Sequence, residues 1–282
     1  MLPVHLGPAG KPLSMKNQKI EVAPRFLKEI GLNAMEYEAV RGVRITREKA
    51  YKLGEEARKN DILLSIHAPY FINLASSKNK VIEASISRLI KSIEAASWMN
   101  AYIVVFHLGY YGEYNRNEAL RKVINSLKQV IEYRNTMGYK RIILGPETAG
   151  KKSQIGGLEE IINISSLLDN VRPVIDWAHL HARSNGKLIN SIDNVIEVIE
   201  IIEKNLGGEA VNPLHSHFSK IEYSSKGEIR HHSLKEKEYG PCFETVCKGL
   251  CETGINSVVI SESPLLEIDA LEMKKICNRI CG

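Results

Sequence analysis

Eight short apolar runs alternate with helical patterns along this 282-residue chain, and few folds accept that rhythm. The runs are Pro3–Gly7, Ala34–Glu38, Leu63–Pro69, Tyr102–Gly109, Arg141–Glu147, Pro173–Trp177, Pro213–Ser219 and Ser257–Glu262. Short continuous apolar runs are what strands need when both faces of a parallel sheet are covered. Between them, Leu120, Val123, Ile124, Leu127 and Ile131 recur at the spacing of one helix face, as do Ile192, Val195, Ile196, Ile199 and Ile202. Further helices are expected near 24–30, 46–59, 80–99, 157–168, 241–253 and 266–279. This alternation predicts an α/β fold, a (β/α)8 or TIM barrel, as a single domain over residues 1–282. A doubly wound open sheet would carry a glycine-rich phosphate loop after an early strand, and LGPAGKP is too weak a match for one.

The barrel reading gives meaning to where the polar residues fall. Eight of nine histidines cluster at or just past strand ends: His67, His107, His179 with His181, His215 with His217, and His231 with His232. Glu147, Asp176 and Glu262 end strands in the same way. Barrel enzymes place their chemistry at the C-terminal ends of the strands. Six consecutive strands thus deliver His67, His107, Glu147, Asp176, His215 and Glu262 to one rim. Imidazole and carboxylate together suit Zn²⁺ and similar divalent ions. Alternation puts His215 and His217 on one face and His231 and His232 on opposite faces, so only one of the latter pair is expected to ligate.

Bulk properties narrow the partners. The net charge is +5, too mild for a dedicated nucleic-acid binder but compatible with an anionic substrate. Lys151, Arg183 and Arg230 stand beside the strand ends. No apolar run reaches the roughly 18 residues of a membrane span, so no membrane partner and a cytoplasmic location are expected. The five cysteines all follow residue 241, an odd number without a CxxC pair. Buried thiols are expected there, rather than disulfides or a cysteine metal site.

HAPYFINLAS, FHLG, ETAGK, DWAHLHA, HHSL and the final SES, in that order, resemble the endonuclease IV family of metal-dependent apurinic/apyrimidinic endonucleases. The likeness spans nearly the whole chain, as of a divergent archaeal-like branch. It implies hydrolysis of the phosphodiester 5′ to abasic sites in double-stranded DNA by a monomer holding two or three Zn²⁺ ions, with Mn²⁺ as the alternative. His67, His107 and bridging Glu147 would hold one ion. Glu147, Asp176, His215 and Glu262 would hold a second, and His179 with His231 a third. Glu147 and Glu262 would be the catalytic carboxylates. Tyr70, Arg41, Lys151, Arg183 and Arg230 would contact DNA. Two departures stand out: Ile229 replaces a family aspartate of the third position, where Glu228 or His232 is the nearest substitute, and Ser-His217-Phe-Ser219 follows His215. The competing readings are a single-metal sugar isomerase or epimerase using Glu147, Asp176, His215 and Glu262, and a barrel that binds without catalysis.

Overall fold

The computed structural model describes residues 4–281, so Pro3, the first residue of the first expected strand, lies outside the described residues. Eight parallel strands form the centre: β1 (Val4–Pro8), β2 (Ala34–Glu38), β3 (Leu63–His67), β4 (Ile103–Phe106), β5 (Ile143–Pro146), β6 (Ile175–Asp176), β7 (Leu214–Phe218) and, after a hairpin, β10 (Ser257–Ser261). One arc runs β1-β10-β7-β6 and the other β2-β3-β4-β5. Bridges between Ala9 and Glu36 and between Glu147 and Val174 join the arcs into a closed ring. Helices α1 (Ala23–Glu29), α2 (Arg47–Lys59), α3 (Asn79–Met99), α4 (Arg116–Thr136), α5 (Leu158–Ser166), α7 (Ile192–Leu206), α8 (Phe243–Thr253) and α9 (Glu267–Cys281) follow the strands. The expected barrel is present, and no described helix is long and apolar enough to cross a membrane.

Strand alternation sorts side chains into two environments. Val258 and Ile260 pack with Ala34 inside the ring, and Ile103, Val105, Ile143 and Val174 form a second small interior cluster. Val104, Phe106 and Val259, one residue out of phase, join the large cluster shared with the helices. The inward set includes Glu36 and Glu38 on β2 and His215 and His217 on β7, so polar groups occupy the upper part of the barrel interior.

Two short elements complete the rim. Helix α6 (Trp177–Arg183) starts directly after β6 because the Asp176 carboxylate accepts the His179 backbone N–H at 2.7 Å, capping the first turn. The polar connection after β7 folds into an antiparallel hairpin, β8 (Lys220–Ser224) and β9 (Gly227–His232). The hairpin leans on the loop after β5, where the Glu228 N–H donates to Gly150 O at 3.2 Å and the Lys152 N–H to Lys226 O at 3.1 Å. Gly227 has φ +96°, and a Cβ there would fall 2.2 Å from Gly150 O, so this close approach requires glycine.

The cysteines depart from expectation. Cys247 is joined to Cys277 and Cys251 to Cys281, with Cα separations of 5.8 and 5.9 Å. The i, i+4 spacing on α8 meets the same spacing on α9, so two bonds stack along one helix–helix contact. Cys242 is free and exposed.

Candidate metal centre

Glu147 directly follows β5 at the centre of the rim, fully buried. Each of its carboxylate oxygens faces two imidazoles. Oε2 lies 3.1 Å from His67 Nε2 and 3.5 Å from His107 Nε2. Oε1 lies 3.2 Å from His179 Nδ1 and 3.3 Å from His217 Nδ1. Glu262, past the end of β10, approaches His217 Nδ1 at 3.1 Å with one oxygen and His231 Nδ1 at 3.6 Å with the other. Donor atoms of His67, Glu147, His217 and Glu262 lie within 4.8 Å of one another, and so do those of Asp176, His179, His231 and Glu262.

The position given to His215 in the sequence reading is taken by His217. Both side chains point inward, but β7 climbs toward the rim, so the later histidine reaches Glu147 and Glu262. His215 sits one layer deeper, with Nε2 3.1 Å from Glu36 Oε2 and Nδ1 2.5 Å from the Tyr102 hydroxyl. Glu36 also lies 2.9 Å from His217 Nε2 through its other oxygen. Tyr102, His215, Glu36 and His217 therefore form a buried polar column beneath the rim.

Electrostatics follow from this packing. Burial would lower the His67 pKa, but the Glu147 hydrogen bond and the Glu38 and Glu147 charges outweigh it and push it up to about 10. His217 is raised in the same way, burial being outweighed by Glu262, Glu36 and Glu147. His107 and His215 are lowered, chiefly by burial. Burial would raise Glu262, yet the His217 charge and hydrogen bond bring it down to about 2. Burial raises Asp176 to about 6 against the opposing His179 charge. Burial, with the Glu36 and Glu262 charges, raises Glu38 to about 8 against His67. Charges of opposite sign at such density need one another, or ions, to be held inside a protein.

A cavity of about 520 Å³ opens above these groups, bordered by Glu38, Tyr70, His107, Lys151, Glu228 and His231. Tyr70 and Phe71 project from the loop after β3 with 52% and 64% of their surface exposed. The Tyr70 ring lies 6.4 Å from the His107 ring, centroid to centroid. Arg41 is exposed on the loop after β2. Arg230 is exposed on β9 and paired with Glu222 at 2.8 Å.

Arg183 does not reach the cavity as a free cation. Its guanidinium donates to the carbonyls of Ala149, Lys151 and Gln154 and to the Tyr111 hydroxyl. It ties the loop after β5 to α6, so the DNA-contact role expected of it is replaced by a structural one. His181 and His232 also turn away. His181 Nδ1–H donates to Leu188 O at 2.8 Å, and His232 lies between Glu222 and Glu236 with its ring on Tyr239.

The sequence reading missed Glu36 and Glu38. The available signal was two carboxylates at i, i+2 in the otherwise apolar run AMEYEAV, which places both inside the barrel.

The donor set fits divalent cations. Asp176 Oδ2 is buried without a hydrogen-bond partner. His67 Nδ1–H donates to Ala68 O at 2.8 Å, leaving Nε2 as the atom aimed at the centre. That is the orientation a ligating imidazole takes.

Known proteins resemble the chain throughout its length. The family model for xylose isomerase-like TIM barrels matches residues 24–274. An uncharacterized protein of Methanocaldococcus jannaschii is 34% identical over 97% of both chains. A probable endonuclease 4 of Mycoplasma pneumoniae is 28% identical over 78% of this chain and 75% of its own. Among solved structures, a D-tagatose 3-epimerase-like protein superposes with a TM-score of 0.70 at 22% identity, covering 92% of this chain and 91% of its own. Endonuclease IV from Thermus thermophilus superposes with a TM-score of 0.67 at 18% identity, covering 98% and 97%. At these identities the superpositions speak to the fold, and the match across residues 24–274 places the chain in the xylose isomerase-like TIM barrel family.

Proposed function

We propose that this protein is a divalent-metal-dependent phosphodiesterase that incises double-stranded DNA 5′ to abasic sites. The observation that carries the reading is Glu147, with two imidazoles on each carboxylate oxygen. A carboxylate so placed suits two ions side by side, and the His179–His231 pair adds a further donor group. A single-ion enzyme has no use for that many. The similarity to probable endonuclease 4 proteins points the same way.

In this reading His67, His107 and Glu147 hold one ion, and Glu147, Asp176, His217 and Glu262 hold the second. Zn²⁺ suits the mixed imidazole and carboxylate donors, and Mn²⁺ is the alternative. Bound ions supply positive charge that lowers the pKa of water and neutralises charge on phosphate. Glu147 and Glu262 orient the attacking water at the floor of the cavity. Tyr70 and Phe71 offer apolar faces to a sugar that has lost its base, and such a nucleotide costs less to extrude than a paired one. Lys151 borders the cavity and, with exposed Arg41 on the loop after β2, contacts the DNA backbone, which makes affinity salt-dependent, whereas Arg230 pairs with Glu222 and His232 on the face turned away.

A sugar epimerase is the second reading. It is favoured by Glu147, Asp176, His217 and Glu262, which suffice for one ion, and by the superposition on an epimerase-like structure. Incision of a duplex carrying one tetrahydrofuran abasic analogue, set against turnover of ketohexoses by the same metal-loaded protein, separates the two.

A further inference from the structure

We propose that Glu228 completes a cation position with His179 and His231, and that a β-bulge at Ile229 is the device that brings it there. In the β8–β9 ladder, Glu222 pairs with Arg230 and Tyr223 with Glu228, so Ile229 is the extra, unpaired residue. Residues 228 and 231 are three apart, and a regular strand would turn them to opposite faces. One bulged residue restores the phase and puts both on the face toward the barrel. Ile229 itself is turned outward, 51% exposed.

The three donors then converge. His179 Nε2 and His231 Nε2 are 3.3 Å apart. Glu228 comes within 3.6 Å of the first and 3.9 Å of the second. Ligands bound at about 2.1 Å around a tetrahedral ion are separated by roughly 3.4 Å, so these edges are close to what one ion requires. The ring hydrogen bonds point to the same occupant. His179 Nδ1 lies 2.8 Å from Thr148 O, an acceptor only, so this nitrogen carries the proton. His231 Nδ1 lies 3.0 Å from Ser219 Oγ. The two Nε2 atoms face each other across one hydrogen bond, and a bound cation would take the place of the shared proton.

The loop after β5 makes room for the carboxylate. A Cβ on Gly150 would lie 2.7 Å from Glu228 Cβ and 3.0 Å from His179 Cδ2, so only glycine lets the hairpin seat this deeply.

This inference deepens the nuclease reading, where an ion here would be the third, but it is tested by metal binding alone. The full chain is stripped of metal, titrated with Zn²⁺ and counted by mass spectrometry after dialysis. The account expects Glu228→Gln to weaken the last-binding ion at least tenfold and leave the others unchanged. Exchanging the two residues, Glu228→Ile together with Ile229→Glu, moves the carboxylate to the outward bulge position and should do the same while the far-ultraviolet spectrum stays that of the parent. Parental zinc content and affinity in Glu228→Gln would overturn the inference. So would parental binding in the exchanged variant. If both variants lose the ion while the parent protein fails to cut abasic DNA, the cation position stands and the nuclease reading falls.

Discussion

The Glu36 carboxylate lies 2.9 Å from His217 Nε2 and, through its other oxygen, 3.1 Å from His215 Nε2. One buried carboxylate thus hydrogen-bonds the deeper ring and lies in ion-pair contact with the ring that reaches Glu147. A carboxylate behind an imidazole favours one tautomer, and His217 Nδ1 is the atom that faces Glu147 and Glu262. Glu36→Gln keeps the shape and removes the charge. It is expected to weaken metal binding about 10- to 100-fold with the barrel intact. A competitive zinc titration alongside circular dichroism checks this, and unchanged affinity would show that Glu36 is only filling space.

The alternation of strands and helices was enough to specify the barrel, and the rim position of His67, His107, Glu147, Asp176 and Glu262 followed from strand ends alone. Choosing between His215 and His217 required knowing where β7 stops relative to its neighbours, which depends on barrel stagger and not on local pattern. Arg183 looked like a rim cation because its three carbonyl partners lie about 30 residues away in sequence. The bulge that turns Glu228 inward exists only once β9 has paired with β8.

The metal-free protein is expected to lose stability as pH rises through neutrality. His67 stands at about 10 against 6.5 when unfolded, so its contribution is complete below 6.5 and lost as pH climbs through 10. Glu38 stands at about 8 against 4.5, so the folded state also holds this proton where the unfolded chain has released it. Both shifts mean more protons bound in the folded state, and stability then falls with rising pH. Bound cations take the place of the His67 proton. Melting curves from pH 6 to 9 should therefore show a falling midpoint without metal and a higher, flatter one with Zn²⁺. A metal-free midpoint that rises across this range would contradict the account.

Arg183→Ala and Lys151→Ala should separate structure from binding. Arg183→Ala leaves the carbonyls of Ala149, Lys151 and Gln154 without their shared donor and is expected to cost roughly 2 kcal/mol. A midpoint several degrees lower reports it. Lys151→Ala should leave the midpoint in place, weaken DNA binding across sequences and reduce the salt slope by about 1. Fluorescence anisotropy over a salt series measures that slope.

The paired bonds between α8 and α9 each close a loop of 30 residues. Chain-entropy arguments assign about 3–4 kcal/mol to the first such closure, and less to a second one parallel to it. Reduction under non-denaturing conditions should lower the melting midpoint, while zinc stoichiometry at the rim stays constant. Equal midpoints for oxidised and reduced protein would show that these bonds do not hold the two helices together in solution.

The central claim rests most directly on one rate comparison. Zinc-loaded protein is incubated with a duplex carrying a single tetrahydrofuran analogue, which cannot undergo β-elimination, and in parallel with ketohexoses. The account predicts a single cut 5′ to the analogue, abolished by chelation and by Glu147→Gln, with no interconversion of the sugars. No cut with Zn²⁺, Mn²⁺ or Mg²⁺, together with epimerised sugar, would contradict it and place the chemistry on carbon instead of phosphorus.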